Sequence, residues 1–264
     1  AGVAAYQTLL ARAPAWRSHS EGAALALFTV DNMSIELMAP DGHGPAAERI
    51  RAVLPEQGAT LASICFATPD IARMHRRLER LALKPDPVAE VSSTDSATGA
   101  TLSWKRTRAA TDLTRGIRQF FLQLDGPRPP SPLRDNAAVT GLDHVVIATP
   151  DPERAAALYG ARLGLDMALD RSHPDWGHLM FFRCGELIVE IVNRPGDKTD
   201  KARDTLWGLS WRVDDIDATC RRLLAAHVNV SEVRQGRKPG TRVASLRDGS
   251  CGIPTLLIER TARE

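Results

Sequence analysis

Apolar residues alternate with polar or small ones in short runs at 24–30, 33–38, 178–184, 187–192, 241–246 and 255–259. A two-residue period puts neighbouring side chains on opposite faces, so each run predicts a strand with one covered face. Asp31-Asn32, Cys184-Gly185 and Asp248-Gly249 separate several of these runs as turn residues. Elsewhere the apolar spacing lengthens. Ile71, Met74, Leu78 and Leu81, and again Ile216, Cys220, Leu223 and Leu224, fit a 3.6-residue period and predict one-sided helices. The stretch 152–165 behaves likewise: Pro152 is tolerated in a first turn that needs no backbone donor, and Gly164 is placed to end the helix.

A repeat organises these elements. Ala67-Thr68-Pro69-Asp70 recurs unchanged as Ala148-Thr149-Pro150-Asp151, each time between a short apolar run and a helical stretch. Proline cannot continue a central ladder, and Asp ahead of an apolar helical rhythm caps unsatisfied amides, so both copies predict a strand-to-helix corner. A looser third copy runs from Gly208 to Asp215. On this alignment Ser63 matches His144, and Gly208 takes the corresponding place. The copies are offset by 81 residues (63 to 144) and 64 residues (144 to 208), too long for most solenoids and long enough for a small sheet with a covering helix. The predicted unit is a strand, a helix and about three strands. The chain opens on Val3, Tyr6 and Leu10, a helical rhythm with no strand before it. A first unit is therefore expected that lacks its leading strand, a segment of roughly 15 to 20 residues with its lead-in.

The proline-rich stretch from Gly126 to Pro132 divides the chain near its middle, which predicts domains at 1–126 and 138–264 joined by a linker at 127–137. A net charge of +2 from 34 basic and 32 acidic residues forms no strongly basic face, so nucleic acid is not implied as a partner. No apolar run approaches the ~20 residues of a membrane span, and a soluble, cytoplasmic protein is expected. Cys65, Cys184, Cys220 and Cys251 lack paired short spacing, and reduced thiols are the expectation.

The segment Leu142-Asp143-His144-Val145-Val146-Ile147-Ala148-Thr149-Pro150-Asp151, with Leu158-Tyr159, Leu163-Gly164-Leu165, Phe181-Phe182-Arg183 and the run 187–192, resembles the glyoxalase, bleomycin-resistance and dioxygenase superfamily, the vicinal oxygen chelate proteins. The resemblance implies an α+β fold of tandem βαβββ modules, four here with the first truncated, paired into two curved mixed sheets with helices outside. It also implies clefts in which His or Gln on first strands and Glu on last strands hold a divalent metal. Carried onto this chain, the C-terminal set is His144, Glu190 and Glu259, with the fourth position on Gly208, which cannot ligate. The N-terminal set, Glu36, Ser63 and Gln123, is a poor one, and that half is expected to be structural or substrate-shaping.

One imidazole and two carboxylates suit Mn²⁺, Mg²⁺, Zn²⁺ or Fe²⁺. The resemblance then implies metal-assisted lyase or isomerase chemistry on a small oxygenated molecule, with Glu190 or Glu259 moving a proton. Three other readings stay open: metal-free binding of a small molecule, extradiol-type dioxygenation, and a homodimer assembled through exposed sheet edges.

Each candidate also has a plainer reading. His144 is either a core histidine or a ligand. Glu190 lies among Ile188, Val189, Ile191 and Val192, so its charge requires a metal or a cation such as Arg183 or Arg212. Glu259 is either a ligand or a solvated strand end. Ser210 and Arg212 share the face of position 208 and are candidate substrate contacts, whereas Ser210 as a nucleophile lacks a neighbouring base motif. The basic stretch 234–242 offers Arg237 and Arg242 to an anionic substrate, or is a solvated hairpin.

Overall fold

The computed structural model describes residues 1–56, 58–130, 137–194 and 203–260. Most of the predicted linker, 131–136, therefore lies outside the described residues. The first unit comprises α1 (Gly2–Leu10), β1 (Trp16–Ser20), β2 (Ala23–Thr29) and β3 (Ser34–Pro40), followed by a short α2 (Pro45–Arg51). The second comprises β4 (Ser63–Ala67), α3 (Ile71–Arg80), β5 (Ala89–Thr94), β6 (Thr101–Arg108) and β7 (Arg118–Leu124). The third runs β8 (Val139–Ala148), α4 (Pro152–Ala156) with a π-helical continuation (Ala157–Arg162), β9 (Asp166–His173), β10 (Gly177–Cys184) and β11 (Leu187–Asn193). The fourth runs β12 (Thr205–Val213), α5 (Ile216–Ala225), β13 (Arg234–Gln235), β14 (Thr241–Leu246) and β15 (Thr255–Arg260).

The repeated aspartate does the same work in every copy. Asp70 accepts the Arg73 amide at 2.8 Å, Asp151 the Arg154 amide at 3.1 Å, and Asp215 the Ala218 amide at 2.8 Å. Each cap satisfies an otherwise orphaned donor, a contribution of about 1 kcal/mol.

The third and fourth units form one eight-stranded sheet, ordered β13-β14-β15-β12-β8-β11-β10-β9. Their first strands, β8 and β12, pair antiparallel at its centre, and each runs parallel to the last strand of its own unit, β11 or β15. The N-terminal pair differs from the expected single curved sheet. It comprises β1-β2-β3 and β4-β7-β6-β5, because among the described residues no strand lies between β3 and β4 to join them.

One apolar core runs through both halves, with Trp211, Tyr159, Phe28 and Phe182 among its largest fully buried side chains. Polar contacts cross the same boundary. The buried Gln119 amide donates to the Tyr159 hydroxyl at 3.0 Å, and Arg222 of α5 donates to the Leu9 and Ala137 carbonyls at 3.0 and 3.1 Å and to Thr8. The last carbonyls of α1 thus find partners in the opposite half. Arg115 donates to the fully buried Asp204 carboxylate at 3.1 Å. All four cysteines are free thiols. Among the described residues no helix is long and apolar enough to cross a membrane.

Candidate functional site

Strand periodicity turns His144, Val146 and Ala148 of β8 toward one face of the eight-stranded sheet, the face opposite the main core. Glu190 of β11 lies beside Val146, and Ser210 of β12 is the direct cross-strand partner of His144. Two of the three register irregularities between β8 and β12 modify this pattern at the site. Between the pairs His144–Ser210 and Leu142–Trp211, β8 carries one extra residue, Asp143; between Leu206–Ile147 and Gly208–Val146, β12 carries one extra residue, Trp207. A bulge of this kind re-aims the inserted side chain. Asp143, which strict alternation would turn away, approaches the ring of its neighbour His144. Asn32 holds the strand at this point, donating to the Leu142 carbonyl at 2.7 Å and accepting its amide at 3.0 Å.

The result is a compact polar cluster. His144 Nδ1 lies 3.1 Å from Asp143 Oδ1, while Nε2 lies 2.7 Å from Ser210 Oγ and 3.1 Å from Glu190 Oε2. Phe181 stacks on the imidazole at 6.4 Å between ring centroids. Burial raises the Glu190 carboxyl above its ordinary range, and His144, Arg194 and Arg237 pull in the opposite direction without cancelling it. Asp143 moves the other way. Burial opposes its ionisation, but the His144 hydrogen bond and the charges of Arg260, His144 and Arg212 together hold it below the usual carboxylate range. The Arg260 guanidinium is 2.7 Å from Asp143 Oδ2, yet that oxygen has no aligned hydrogen bond, so the contact is one of charge.

An ionised Asp143 keeps a proton on His144 Nδ1. Glu190, 3.1 Å from Nε2, is close enough to exchange a proton with the ring or with a molecule held beside it. Of the two cations that act on Glu190, Arg194 covers the Trp207 ring at 4.1 Å and Arg237 covers Trp176 at 4.3 Å, with His173 stacked on the same indole at 3.9 Å. Val146, Ala148, Val192 and Leu179 form an apolar patch beside the acid.

The structure brings His144, Glu190 and Ser210 together, and Arg237 acts on Glu190 through its charge. Arg212 sits against Asp143 at 3.9 Å and donates to the Glu186 carbonyl. Glu259 and Arg242 do not join the cluster. They are cross-strand partners on the other face of the sheet, where Glu259 accepts the Ile216 amide at 3.3 Å and Arg242 at 3.2 Å, and Arg242 also binds Asp217 of α5. Gln123 occupies the same place in the second unit, accepting the Ile71 amide at 2.9 Å. A single step in strand parity separates the expected placement of Glu259 from the observed one.

These positions decide how well the residues fit a divalent metal. His144 and Glu190 are two donors, Glu259 faces α5, and no cluster of three or more His, Cys, Asp or Glu suited to a metal occurs among the described residues. Position 208 is closed to any side chain, since a Cβ there would lie 2.7 Å from the Pro254 carbonyl oxygen. The three-donor set expected from the resemblance is not assembled. Gly208→Ala is expected to destabilise the fold by ~1–3 kcal/mol through this backbone clash, read as a lower urea midpoint with an unchanged slope. Sequence periodicity missed Asp143, because it assumes an unbroken ladder. It also passed over Trp176 and Arg194, which come together with the site only through loop packing.

A family model described as "Glyoxalase-like domain" matches residues 3–141, and one described as "Glyoxalase/Bleomycin resistance protein/Dioxygenase superfamily" matches residues 143–244. No curated protein matches the chain. Among solved structures, a mutant of 4-hydroxymandelate synthase from Streptomyces coelicolor aligns over 98% of this chain and 88% of its own, with a TM-score of 0.67 and 14% identity. Methylmalonyl-CoA epimerase from Mycobacterium tuberculosis aligns over 50% of this chain and 95% of its own, with a TM-score of 0.42 and 24% identity. The first likeness establishes a shared fold across both halves.

Proposed function

We propose that this chain, which belongs to the glyoxalase/bleomycin resistance protein/dioxygenase superfamily, is an enzyme whose C-terminal cleft moves a proton on a small oxygenated anion, using its own side chains as acid and base. The observation that carries this reading is the 3.1 Å contact between Glu190 and His144, with Asp143 bound to the other ring nitrogen. Arg194 and Arg237 supply positive charge beside Glu190 and suit a carboxylate or phosphate on the substrate. A C–H next to a carbonyl, presented to Glu190, meets a base whose pKa is raised toward the working range. The His144 Nε2–H and the Ser210 hydroxyl are placed to donate to the oxygen on which charge develops. Isomerisation, epimerisation and β-elimination all begin with this step. Extradiol ring cleavage, which needs two imidazoles and a carboxylate around iron, finds one imidazole, His144, in this cluster among the described residues.

The test is solvent exchange. Protein treated with chelator is incubated in D2O with small 2-hydroxy- and 2-oxocarboxylates, and deuterium entering next to the carbonyl is followed by proton NMR. Exchange at the same rate with and without chelator is expected; exchange that appears only after a divalent cation is added would sink the metal-independent reading.

A second reading rests on the chain Ser210 Oγ–His144 Nε2–Asp143, at 2.7 and 3.1 Å, which is the spatial order of a hydrolytic triad. It makes Ser210 a nucleophile toward acyl groups. Covalent labelling of Ser210 by a fluorophosphonate, abolished in His144→Ala, would favour it over proton transfer.

A further inference from the structure

In the sheet of the second unit, Arg108 pairs with Phe120 and Arg106 with Leu122 across β6 and β7, while Cys65 and Ser63 of β4 stand beside Phe120 and Arg118. Alternation therefore gathers Arg106, Arg108, Arg118 and Phe120 on one face. The intervening residues Phe66, Thr107, Gln119 and Phe121 are buried on the other. The three guanidinium carbons lie 5.6, 5.9 and 5.8 Å from the centroid of the single Phe120 ring. Arg49 of α2 adds a fourth positive charge that acts on Arg118.

The acids nearby do not balance this group. Asp86 pairs with Arg108 at 3.0 Å and Glu21 with Arg49 at 2.9 Å. Arg106 and Arg118 make no hydrogen bond or ion pair with any described residue, and their close side-chain contact is the Phe120 ring. Glu36 of β3, whose carboxyl is raised by loss of water and lowered by the Arg106 charge, forms no ion pair with that guanidinium. Arginines on a merely solvated face spread apart to reduce repulsion. Here they converge, and loss of water followed by repulsion from Arg108, Arg49 and Arg106 pulls Arg118 below its ordinary range. The face of one benzene ring attracts cations only weakly and neutralises none of them. Guanidinium forks match the oxygens of phosphate and carboxylate, two bonds at a time.

We propose that the arginine fan around Phe120 is a binding site for a small dianion, a phosphate monoester or dicarboxylate, in the N-terminal half and separate from the Glu190 cluster. Two unpaired guanidiniums set the charge of the ligand at two, and the ring offers an apolar surface for its carbon part.

The experiment titrates the full-length chain with inorganic phosphate and with malonate by calorimetry, using acetate as the singly charged control. Saturable binding of both dianions is expected with a dissociation constant of ~1 mM or below, with acetate at least tenfold weaker. Arg106→Gln and Arg118→Gln should each weaken phosphate about tenfold or more, and Arg237→Gln, which removes a cation beside Glu190, should leave phosphate binding unchanged. Arg106 is exposed, so its substitution is expected to fold, and without phosphate the variant should melt no lower than the wild type. Its melting temperature should then respond less to added phosphate. Absence of saturable binding by ~10 mM of either dianion, about tenfold above the expected constant, would overturn the proposal. So would binding that survives both the Arg106 and the Arg118 substitution, or that is lost in Arg237→Gln.

Discussion

Glu190→Gln is expected to lower proton exchange on the active carboxylate by ~10²- to 10⁴-fold, the usual contribution of a positioned acid or base, while making the folded protein more stable at neutral pH. The two effects share one cause. Glu190 sits largely buried in an apolar strand, and burial raises its carboxyl above the ordinary 4.5. Between that value and the raised one, the folded chain keeps a proton that the unfolded chain has released. Wild-type stability therefore falls as pH rises through this window, and the full loss is present above it. Glutamine has nearly the same shape and carries no charge, so the variant should gain over the wild type from pH 4.5 upward and hold that gain beyond the raised value. Thermal melts from pH 4 to 8 beside exchange assays read both halves of the expectation. A variant that melts below wild type at pH 8 and still exchanges at the wild-type rate would remove Glu190 from its assigned role.

Arg115→Ala is expected to cost ~3–5 kcal/mol, the penalty for leaving a buried charge without its partner. Asp204 has a fully buried side chain that receives Arg115 at 3.1 Å and the Thr149 hydroxyl at 2.7 Å. Its pKa is nevertheless raised, because burial, aided by the Asp151 charge, outweighs these two donors. An acid with a raised folded pKa loses stability as pH climbs, and removing Arg115 raises that pKa further. The damage should thus be smaller toward acid pH, where folded Asp204 carries its proton, and larger as pH rises. Urea denaturation at pH 4.5 and pH 8 checks the trend. Asp204→Asn added to Arg115→Ala should recover part of the loss, whereas equal destabilisation at both pH values would show that Arg115 acts only by filling space.

Much of this architecture was readable from residue order. Asp70, Asp151 and Asp215 stand one unit apart and cap α3, α4 and α5 in the same way, so the repeat was visible before any coordinate. The nearness of His144 to Glu190 was implied by the family resemblance, whereas the apolar run around Glu190 said only that its charge needs a metal or a cation. What escaped depends on register. Glu259 was misplaced because a two-residue period carries over no absolute phase, and its true neighbours, Arg242 and the Ile216 amide, are set by α5. Asp143 and Trp207 are the extra residues of two bulges, and nothing in their chemistry announces an inserted position. The split of the N-terminal pair into two sheets, and the gathering of arginines on Phe120, depend on strand neighbours far apart along the chain.

Asp143 holds one nitrogen of His144 and leaves the other to face Glu190 and Ser210. In the proposed reaction the hydrogen lifted by Glu190 goes back to the guest or leaves with a departing fragment, so the pair needs no outside partner to begin again.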